Sequence, residues 1–247
     1  MKLVLGQSQT CFGQALSEES EGAILNVDLS ARLPRAAYRR SLVDKQLMTG
    51  HMRLDLARPL TQGNLIVFKG ERATGKSHLA MQTVKQFINE DRQRNHAIYV
   101  GLNSQAGLEL INELEKAGTP KENLLSIGVA DETSIAAGEF LFAPRAALHA
   151  LHKLKEHVAS TKNLSCNVLF VFDHVLLHQS KEVYVYGAAG QPQSPVNVIN
   201  ELMEQTGVFP VDGSCVTSIM ILDTESTSEQ FSASEKKIID HIESIAD

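Results

Sequence analysis

The chain has 247 residues, 43% of them hydrophobic and 21% charged, and a formal net charge of −6 at pH 7. This length and composition predict one substantial hydrophobic core with at most a small appended segment. The acidic balance argues against direct nucleic-acid binding, because such proteins present a basic face to the phosphates. No apolar run approaches the roughly 18 residues that cross a bilayer. The cysteines (Cys11, Cys166 and Cys215) are odd in number and widely spaced, which favours a reducing compartment over a disulfide framework.

Residues 1–45 precede the regular part of the pattern. They contain short apolar runs and small residues, which predict one or two strands followed by an extended lead-in. A basic cluster lies near the end of this segment, and we interpret it as a solvated connecting stretch. Its members are Arg32, Arg35, Arg39 and Arg40. We therefore place a boundary near residue 45 and a folded domain over residues 46–247.

From residue 64 onward, apolar strand signals alternate with amphipathic helix signals. The strand segments are short and mainly apolar, as in strands buried on both faces of a parallel sheet, and Pro144 is typical of a helix start. Predicted strands cover 64–69, 97–102, 124–129, 167–172 and 216–222, and predicted helices begin at 77 or cover 105–116, 144–158 and 196–205. This alternation predicts an α/β fold with a mainly parallel sheet and helices on both faces.

The segment that joins the first of these strands to its helix has the spacing of a phosphate-binding loop. It reads GERATGKS and fits G-x-x-x-x-G-K-[ST]. The two glycines permit backbone angles that point successive N–H groups at phosphates. Lys76 supplies a positive charge, and the Ser77 hydroxyl can ligate Mg²⁺. We predict a nucleotide site formed by Gly70, Glu71, Arg72, Ala73, Thr74, Gly75, Lys76 and Ser77.

Two aspartates end strands of the same predicted sheet. Asp173 follows the most apolar strand, where a carboxylate holds Mg²⁺ beside Ser77, usually through water. Asp223 follows the last strand. Because ligands of such sheets lie at the carboxyl ends of the strands, we expect the loop, Asp173 and Asp223 to gather there.

Hydrolysis needs a further group that orients or deprotonates the attacking water. In RecA-like ATPases this is usually a Glu near the end of a strand neighbouring the loop strand, or just after the metal-binding Asp. Here the strand at 97–102 is followed by Asn103, Ser104 and Gln105, and Asp173 is followed by His174. None of these is a carboxylate, so the sequence predicts nucleotide binding without catalysis.

The order of these motifs resembles the alpha subunit of the rotary (F-type) ATP synthase head, a non-catalytic nucleotide-binding subunit. The run RRSLVDKQLMTGHMRLDLARPLTQGN is similar to the family's lead-in R-x-S-V-x-x-P-L-x-T-G-I-x-x-x-D-x-x-x-P-I-x-x-G-Q, and GERATGKS to its G-D-R-Q-T-G-K-T. Similar positions follow in the same order at Arg40, Val43, Leu47, Thr49, Gly50, Asp55, Pro59, Gly63, Ile98, Tyr99, Val100, Ala143, Pro144, Asp173, His178, Ser214, Ile221 and Thr224.

This resemblance covers about residues 35–247 and implies a RecA-like P-loop NTPase domain over 46–247, with residues 1–45 as a remnant of the family's N-terminal barrel. It implies ATP or ADP with Mg²⁺ as ligands. It also implies other protein subunits as partners, in an ATP synthase-like or assembly complex, with membrane contact only through that complex. By the same resemblance the location is the matrix side of the mitochondrial inner membrane, with the cytoplasm as the alternative.

The sequence departs from the family at several functional positions. Ala73 replaces the loop Gln, His174 replaces the second Asp, and Ser104 stands where a Gln is expected. Glu182 and Val183 replace the family's Y-R, and the P-P-G-R-E-A-Y-P-G-D loop is reduced to QPQSPVN. These departures leave three hypotheses: a non-hydrolysing alpha-like component, an independent RecA-like ATPase, and an interaction module that no longer binds nucleotide. A small-molecule kinase is weaker, because the alpha-like lead-in has no role there.

Overall fold

The computed structural model describes residues 1–16, 21–30, 40–101, 104–128, 137–176, 197–224 and 233–245. The strands are β1 (Lys2–Val4), β2 (Ser8–Thr10), β3 (Ile24–Asn26), β4 (Gln46–Leu47), β5 (Leu60–Thr61), β6 (Leu65–Gly70), β7 (Asn95–Val100), β8 (Leu124–Gly128), β9 (Asn167–Phe172), β10 (Gly207–Phe209) and β11 (Ser214–Asp223). The α-helices are α1 (Met52–Ala57), α2 (Lys76–Glu90), α3 (Ser104–Lys116), α4 (Ala137–Lys162), α5 (Asn197–Gln205) and α6 (Ala233–Ile245), and a short 3₁₀-helix covers Lys121–Asn123.

A seven-stranded sheet forms the centre of the fold. Strands β11, β9, β7, β8 and β2 are neighbours in that order, and every pair among them is parallel. The other edge of β11 carries two strands in succession, since β10 pairs antiparallel with its start and β6 pairs parallel with the rest. The loop strand β6 is therefore separated from β9 by β11.

Alternating side chains along the strands pack into two hydrophobic cores, one on each face of the sheet. In β9, Phe170 and Phe172 face α4, α5 and α6, whereas Leu169 and Val171 face α2 and α3. Period-two alternation places successive side chains on opposite faces, and helices cover both. The predicted α/β fold with a mainly parallel sheet and helices on both faces is confirmed.

The N-terminal segment contributes directly to this architecture. β2 pairs with β8 at the end of the sheet, in register from Ser8 with Ser126 to Thr10 with Gly128. β1 and β3 form a separate antiparallel pair whose apolar residues join the α4 side of the core. The predicted boundary near residue 45 stays a prediction.

Four helices and strands differ from the sequence prediction. The helix expected to begin at Pro144 begins at Ala137, so that prediction was wrong and Pro144 lies inside α4. Proline lacks an N–H, but its fixed φ is compatible with a helix, and packing of the following turns retains it. The short elements α1 and β10 carry little periodicity, and α6 follows the last strong strand signal. All three were missed.

All three cysteines are buried and free, as expected for a chain without a disulfide framework. Burial raises the pKa of Cys11 and Cys166 to about 12. Both therefore remain thiols at neutral pH and pack as small apolar groups. Within the described residues, no helix is both long enough and apolar enough to span a bilayer.

Candidate nucleotide-binding site

The predicted phosphate-binding loop lies between the carboxyl end of β6 and the first turn of α2. Its residues from Glu71 to Gly75 are exposed, while Lys76 and Ser77 are half-buried at the start of the helix. Gly75 has φ 88° and Ala73 has φ 60°, so the loop turns twice through the left-handed region. Such turns aim backbone N–H groups into one concavity, and the N-terminal end of α2 adds its partial positive charge.

Hydrogen bonds within the loop hold this shape. The Thr74 hydroxyl donates to the Glu71 carbonyl oxygen at 2.8 Å, and Lys76 Nζ donates to the same oxygen at 2.5 Å. At the base of the loop, the Thr224 N–H donates to the Gly70 carbonyl oxygen at 2.8 Å. The loop is therefore fixed to the end of β11 as well as to itself.

Lys76 also forms an ion pair with the end of β11, the strand next to β6. Its Nζ lies 2.9 Å from Oδ1 of Asp223, and the two side chains are only 10% and 25% exposed. This contact follows from the register, because Asp223 at the end of β11 is the direct partner of Gly70 at the end of β6. The expectation that Asp223 meets the loop is confirmed. Asp223 therefore contacts the same lysine amine that a bound phosphate would contact.

Asp173 lies two strands away from β6 and is almost completely buried, with 1% of its surface exposed. The Tyr99 hydroxyl donates to its Oδ2 at 2.7 Å, and the His174 N–H donates to its Oδ1 at 2.8 Å. Burial and the neighbouring carboxylate raise the pKa of Tyr99, so the phenol stays protonated and keeps donating. His174 has φ 54°, which turns the chain sharply after β9.

These contacts define what Asp173 can offer a metal ion. Oδ2 keeps a second lone pair after accepting from Tyr99, whereas Oδ1 accepts from the His174 N–H and also lies 3.2 Å from His174 Nδ1. This arrangement fits ligation of Mg²⁺ through water better than direct ligation. Ser77 places its hydroxyl in the first turn of α2. The described residues contain no cluster of three or more His, Cys, Asp or Glu side chains that could hold a metal alone. A Mg²⁺ ion here would need phosphate oxygens, and its sharing by Ser77 and Asp173 stays a prediction.

A cleft of about 770 Å³ lies beside the loop, between α1 and the first two turns of α2. Sequence reasoning missed it because it identified neither α1 nor the side of α2 that α1 approaches. α1 is held by polar bonds, since Asp55 Oδ1 accepts from the Thr49 N–H at 2.9 Å and from the Thr49 hydroxyl at 2.7 Å. Gln46 donates to the Asp55 carbonyl oxygen at 2.9 Å. The lining residues are His51, Arg53, Leu54, Ala57, Arg58, Thr74, Gly75, His78, Leu79 and Gln82.

Several positions of the sequence prediction lie outside the described residues, in whole or in part. Asn103, His178, Glu182 and Val183 are outside, as are most of QPQSPVN and three of the four clustered arginines. Ser104 is described only as the first residue of α3. Arg40 is described, and its guanidinium donates to the Met203 and Glu204 carbonyl oxygens at the end of α5. Arg40 therefore binds a helix end of the chain itself.

No protein-family model matches the sequence. The ATP synthase subunit alpha of Ehrlichia ruminantium, in strains Gardel and Welgevonden, is 28% identical over 165 residues, covering 57% of this chain and 32% of the relative. The ATP synthase subunit alpha of Caldanaerobacter subterraneus subsp. tengcongensis is 27% identical over 140 residues, covering 51% of this chain and 27% of the relative. The match thus spans less than a third of these relatives' length. Together with the parallel sheet and its phosphate-binding loop, these similarities support a RecA-like P-loop fold and a distant relationship to the ATP synthase alpha subunit.

Proposed function

We propose that the chain binds one Mg²⁺–nucleotide, ATP or ADP, and holds it with little or no hydrolysis. In this proposal it acts as an alpha-like, non-catalytic subunit or accessory component of an ATP synthase-type complex. The observation that carries the proposal is the loop between β6 and α2, which is open to solvent and has Gly75 in the left-handed region and Lys76 at its base. The distant similarity to ATP synthase alpha subunits supports the same class of ligand.

Little hydrolysis is expected because neither strand-end aspartate beside the loop, Asp173 or Asp223, is free to orient water. Asp223 is paired with Lys76 at 2.9 Å. Asp173 accepts hydrogen bonds from Tyr99 and His174, and it is buried. A water-activating base needs an accessible lone pair within hydrogen-bond reach of the attacking water.

An independent RecA-like ATPase is the second candidate, and Asp223 is the observation that favours it. The strand that carries Asp223 neighbours the loop strand. A triphosphate that recruits Lys76 would release the Asp223 carboxylate next to the phosphates. The third candidate is a module that kept the fold for protein interactions alone, and the retained Lys76 and Ser77 argue against it.

A fluorescent nucleotide analogue tests the proposal directly, since the chain contains no tryptophan to report binding. The wild-type protein should saturate with the analogue in the presence of Mg²⁺. Lys76→Ala should abolish binding, because the phosphates lose the cation of the loop. Lys85→Ala changes a lysine of α2 outside the loop and should bind normally. A wild-type protein that binds no nucleotide at millimolar concentration contradicts the proposal.

Release of inorganic phosphate separates the first two candidates. We expect none above background from the isolated chain. Turnover near about 1 per second, typical of modest enzymes, would favour the independent ATPase instead. Asp223→Asn should then remove that turnover.

The partners and the compartment are part of the same proposal. We propose other protein subunits as partners and a mitochondrial location, with the cytoplasm as the alternative, although the relatives reported above are bacterial. Affinity purification of the tagged chain from its native cells, followed by mass spectrometry, tests both. Recovery of ATP synthase subunits supports the proposal, and recovery of an unrelated set of partners contradicts it.

A further inference from the structure

The cleft between α1 and α2 combines apolar and cationic groups. Leu54, Ala57 and Leu79 supply the apolar part. His51, Arg53, Arg58 and His78 supply two guanidinium groups and two imidazoles, and no acidic residue is among the described residues that line the cleft. Planar aromatic ligands stack on guanidinium and imidazole planes, and apolar walls exclude water around them. The lining therefore fits a flat, electron-rich ring system with an attached anion.

The cleft is continuous with the phosphate-binding loop. Thr74 and Gly75 belong to the loop and also line the cleft, and His78 directly follows Ser77. A nucleotide anchored by its phosphates in the loop must place its ribose and base within about one nucleoside length of that anchor. The volume of about 770 Å³ lies within the range of roughly 300–1,000 Å³ for small-molecule pockets.

The position of α1 is also consistent with a ligand on this side. α1 has no buried residue, and Met52 and Leu56 are 74% and 78% exposed. Its one acidic side chain, Asp55, is turned to Thr49 and so does not oppose an anionic ligand. Polar bonds therefore hold α1 over the loop side of α2 while its cationic side chains remain open to solvent.

We propose that the cleft between α1 and α2 receives the base and ribose of the bound nucleotide. This inference rests on the proposed nucleotide binding. His78 and Arg58 stack on or flank the base, Leu54 and Leu79 exclude water from it, and the Gln82 amide lies within the same cleft to bond its polar edge. Affinity for a nucleotide then has two separable parts, one from the phosphates in the loop and one from the nucleoside in the cleft.

The first test compares ATP with inorganic tripolyphosphate by calorimetry in Mg²⁺. We expect wild-type protein to bind ATP at least about tenfold more tightly than tripolyphosphate, since one stacked base contributes that much. His78→Ala and Arg58→Ala should each lower ATP affinity by roughly 5- to 50-fold and leave tripolyphosphate affinity unchanged. His157→Ala, on α4 and outside the cleft, should change neither.

The outcomes distinguish this inference from the proposed function. If tripolyphosphate and ATP bind equally well, or if both variants keep the wild-type preference for ATP, the cleft does not hold the base although the loop still binds phosphate. If neither ligand binds, the proposed function fails as well.

A second test uses the absence of tryptophan from the chain. Ala57→Trp places a single reporter in the cleft, and Leu56→Trp places one on the neighbouring position of α1 outside the lining. If the indole of Ala57→Trp stacks on the base, ATP should change the tryptophan emission. If the indole fills the place of the base, ATP should bind this variant no better than tripolyphosphate does. Leu56→Trp should show neither effect. Unchanged emission together with wild-type ATP affinity in Ala57→Trp would overturn the inference.

Discussion

The charge of Lys76 is already neutralised within the chain. Its Nζ contacts Asp223 Oδ1 at 2.9 Å and the Glu71 carbonyl oxygen at 2.5 Å, in a partly buried setting. A triphosphate that binds the loop has to compete with Asp223 for this cation and also meets the negative charge of the carboxylate. The ion pair therefore lowers the affinity of the loop for phosphate. The same ion pair also holds Lys76 at the base of the loop.

Removing that competitor should strengthen nucleotide binding. We predict that Asp223→Asn binds ATP about 3- to 10-fold more tightly than the wild type, because Lys76 is released and a like charge is removed. Titration with a fluorescent nucleotide measures the change. Glu122→Gln removes the same charge at the opposite end of the sheet and is the control. Weaker binding in Asp223→Asn would mean that the carboxylate positions Lys76 for the phosphate.

At the scale of elements, the sheet is joined to its helices by very close approaches. Gly107 of α3 lies against β8 and β2, where an added Cβ would lie 2.2 Å from Ser126 Oγ and 2.8 Å from Ser8 Oγ. Both serines are buried, so their hydroxyls have little room to move away. This contact fixes α3 against the edge strand β2, which comes from the N-terminal segment.

Gly107→Ala should therefore destabilise the fold. Overpacking should lower the free energy of unfolding by about 1–3 kcal/mol. The higher helix propensity of alanine offsets roughly 1 kcal/mol of this loss, so we expect a net loss of up to about 2 kcal/mol. Urea denaturation measures it. Glu109→Ala, at an exposed position of the same helix, should change stability by less than about 0.5 kcal/mol. A more stable Gly107→Ala protein would contradict the close approach.

Local sequence signals predict some of these elements and not others. The unit β6–loop–α2 is predictable because its apolar strand, its glycines and its amphipathic helix adjoin each other in the chain. The hydrogen bond of Tyr99 with Asp173 joins side chains 74 positions apart, and spacing alone does not reveal such a contact. The cleft was missed for the same reason, because it depends on how a helix of six residues sits on α2.

At the scale of the whole molecule, one buried and one half-buried imidazole make stability depend on pH. Burial lowers the pKa of His96 in β7 and of His152 in α4 from 6.5 to about 4. Their neutral rings are fully compatible with the fold above pH 6.5. Below pH 6.5, these histidines are protonated in the unfolded chain but stay neutral in the folded chain. The free energy of unfolding therefore decreases as pH falls from 6.5 toward 4.

We predict that the free energy of unfolding decreases by roughly 2 kcal/mol for each of these histidines between pH 7 and pH 5. Urea denaturation at the two pH values measures the loss. His152→Gln removes one titrating ring and should reduce the difference by about half of the histidine share. An equal loss in a variant that lacks both rings would assign the pH dependence to other groups.

The central claim for the whole molecule is that it holds a nucleotide without consuming it. Bound nucleotide would stabilise the fold by about 3–4 kcal/mol at 100 to 1,000 times its dissociation constant. The most direct test dialyses the protein to equilibrium against saturating Mg²⁺ and ATP, measures the excess nucleotide on the protein side and identifies it after denaturation. We predict close to one nucleotide per chain, recovered as ATP, and none from Lys76→Ala. Protein recovered without nucleotide, or with ADP formed at catalytic rates, would contradict the account.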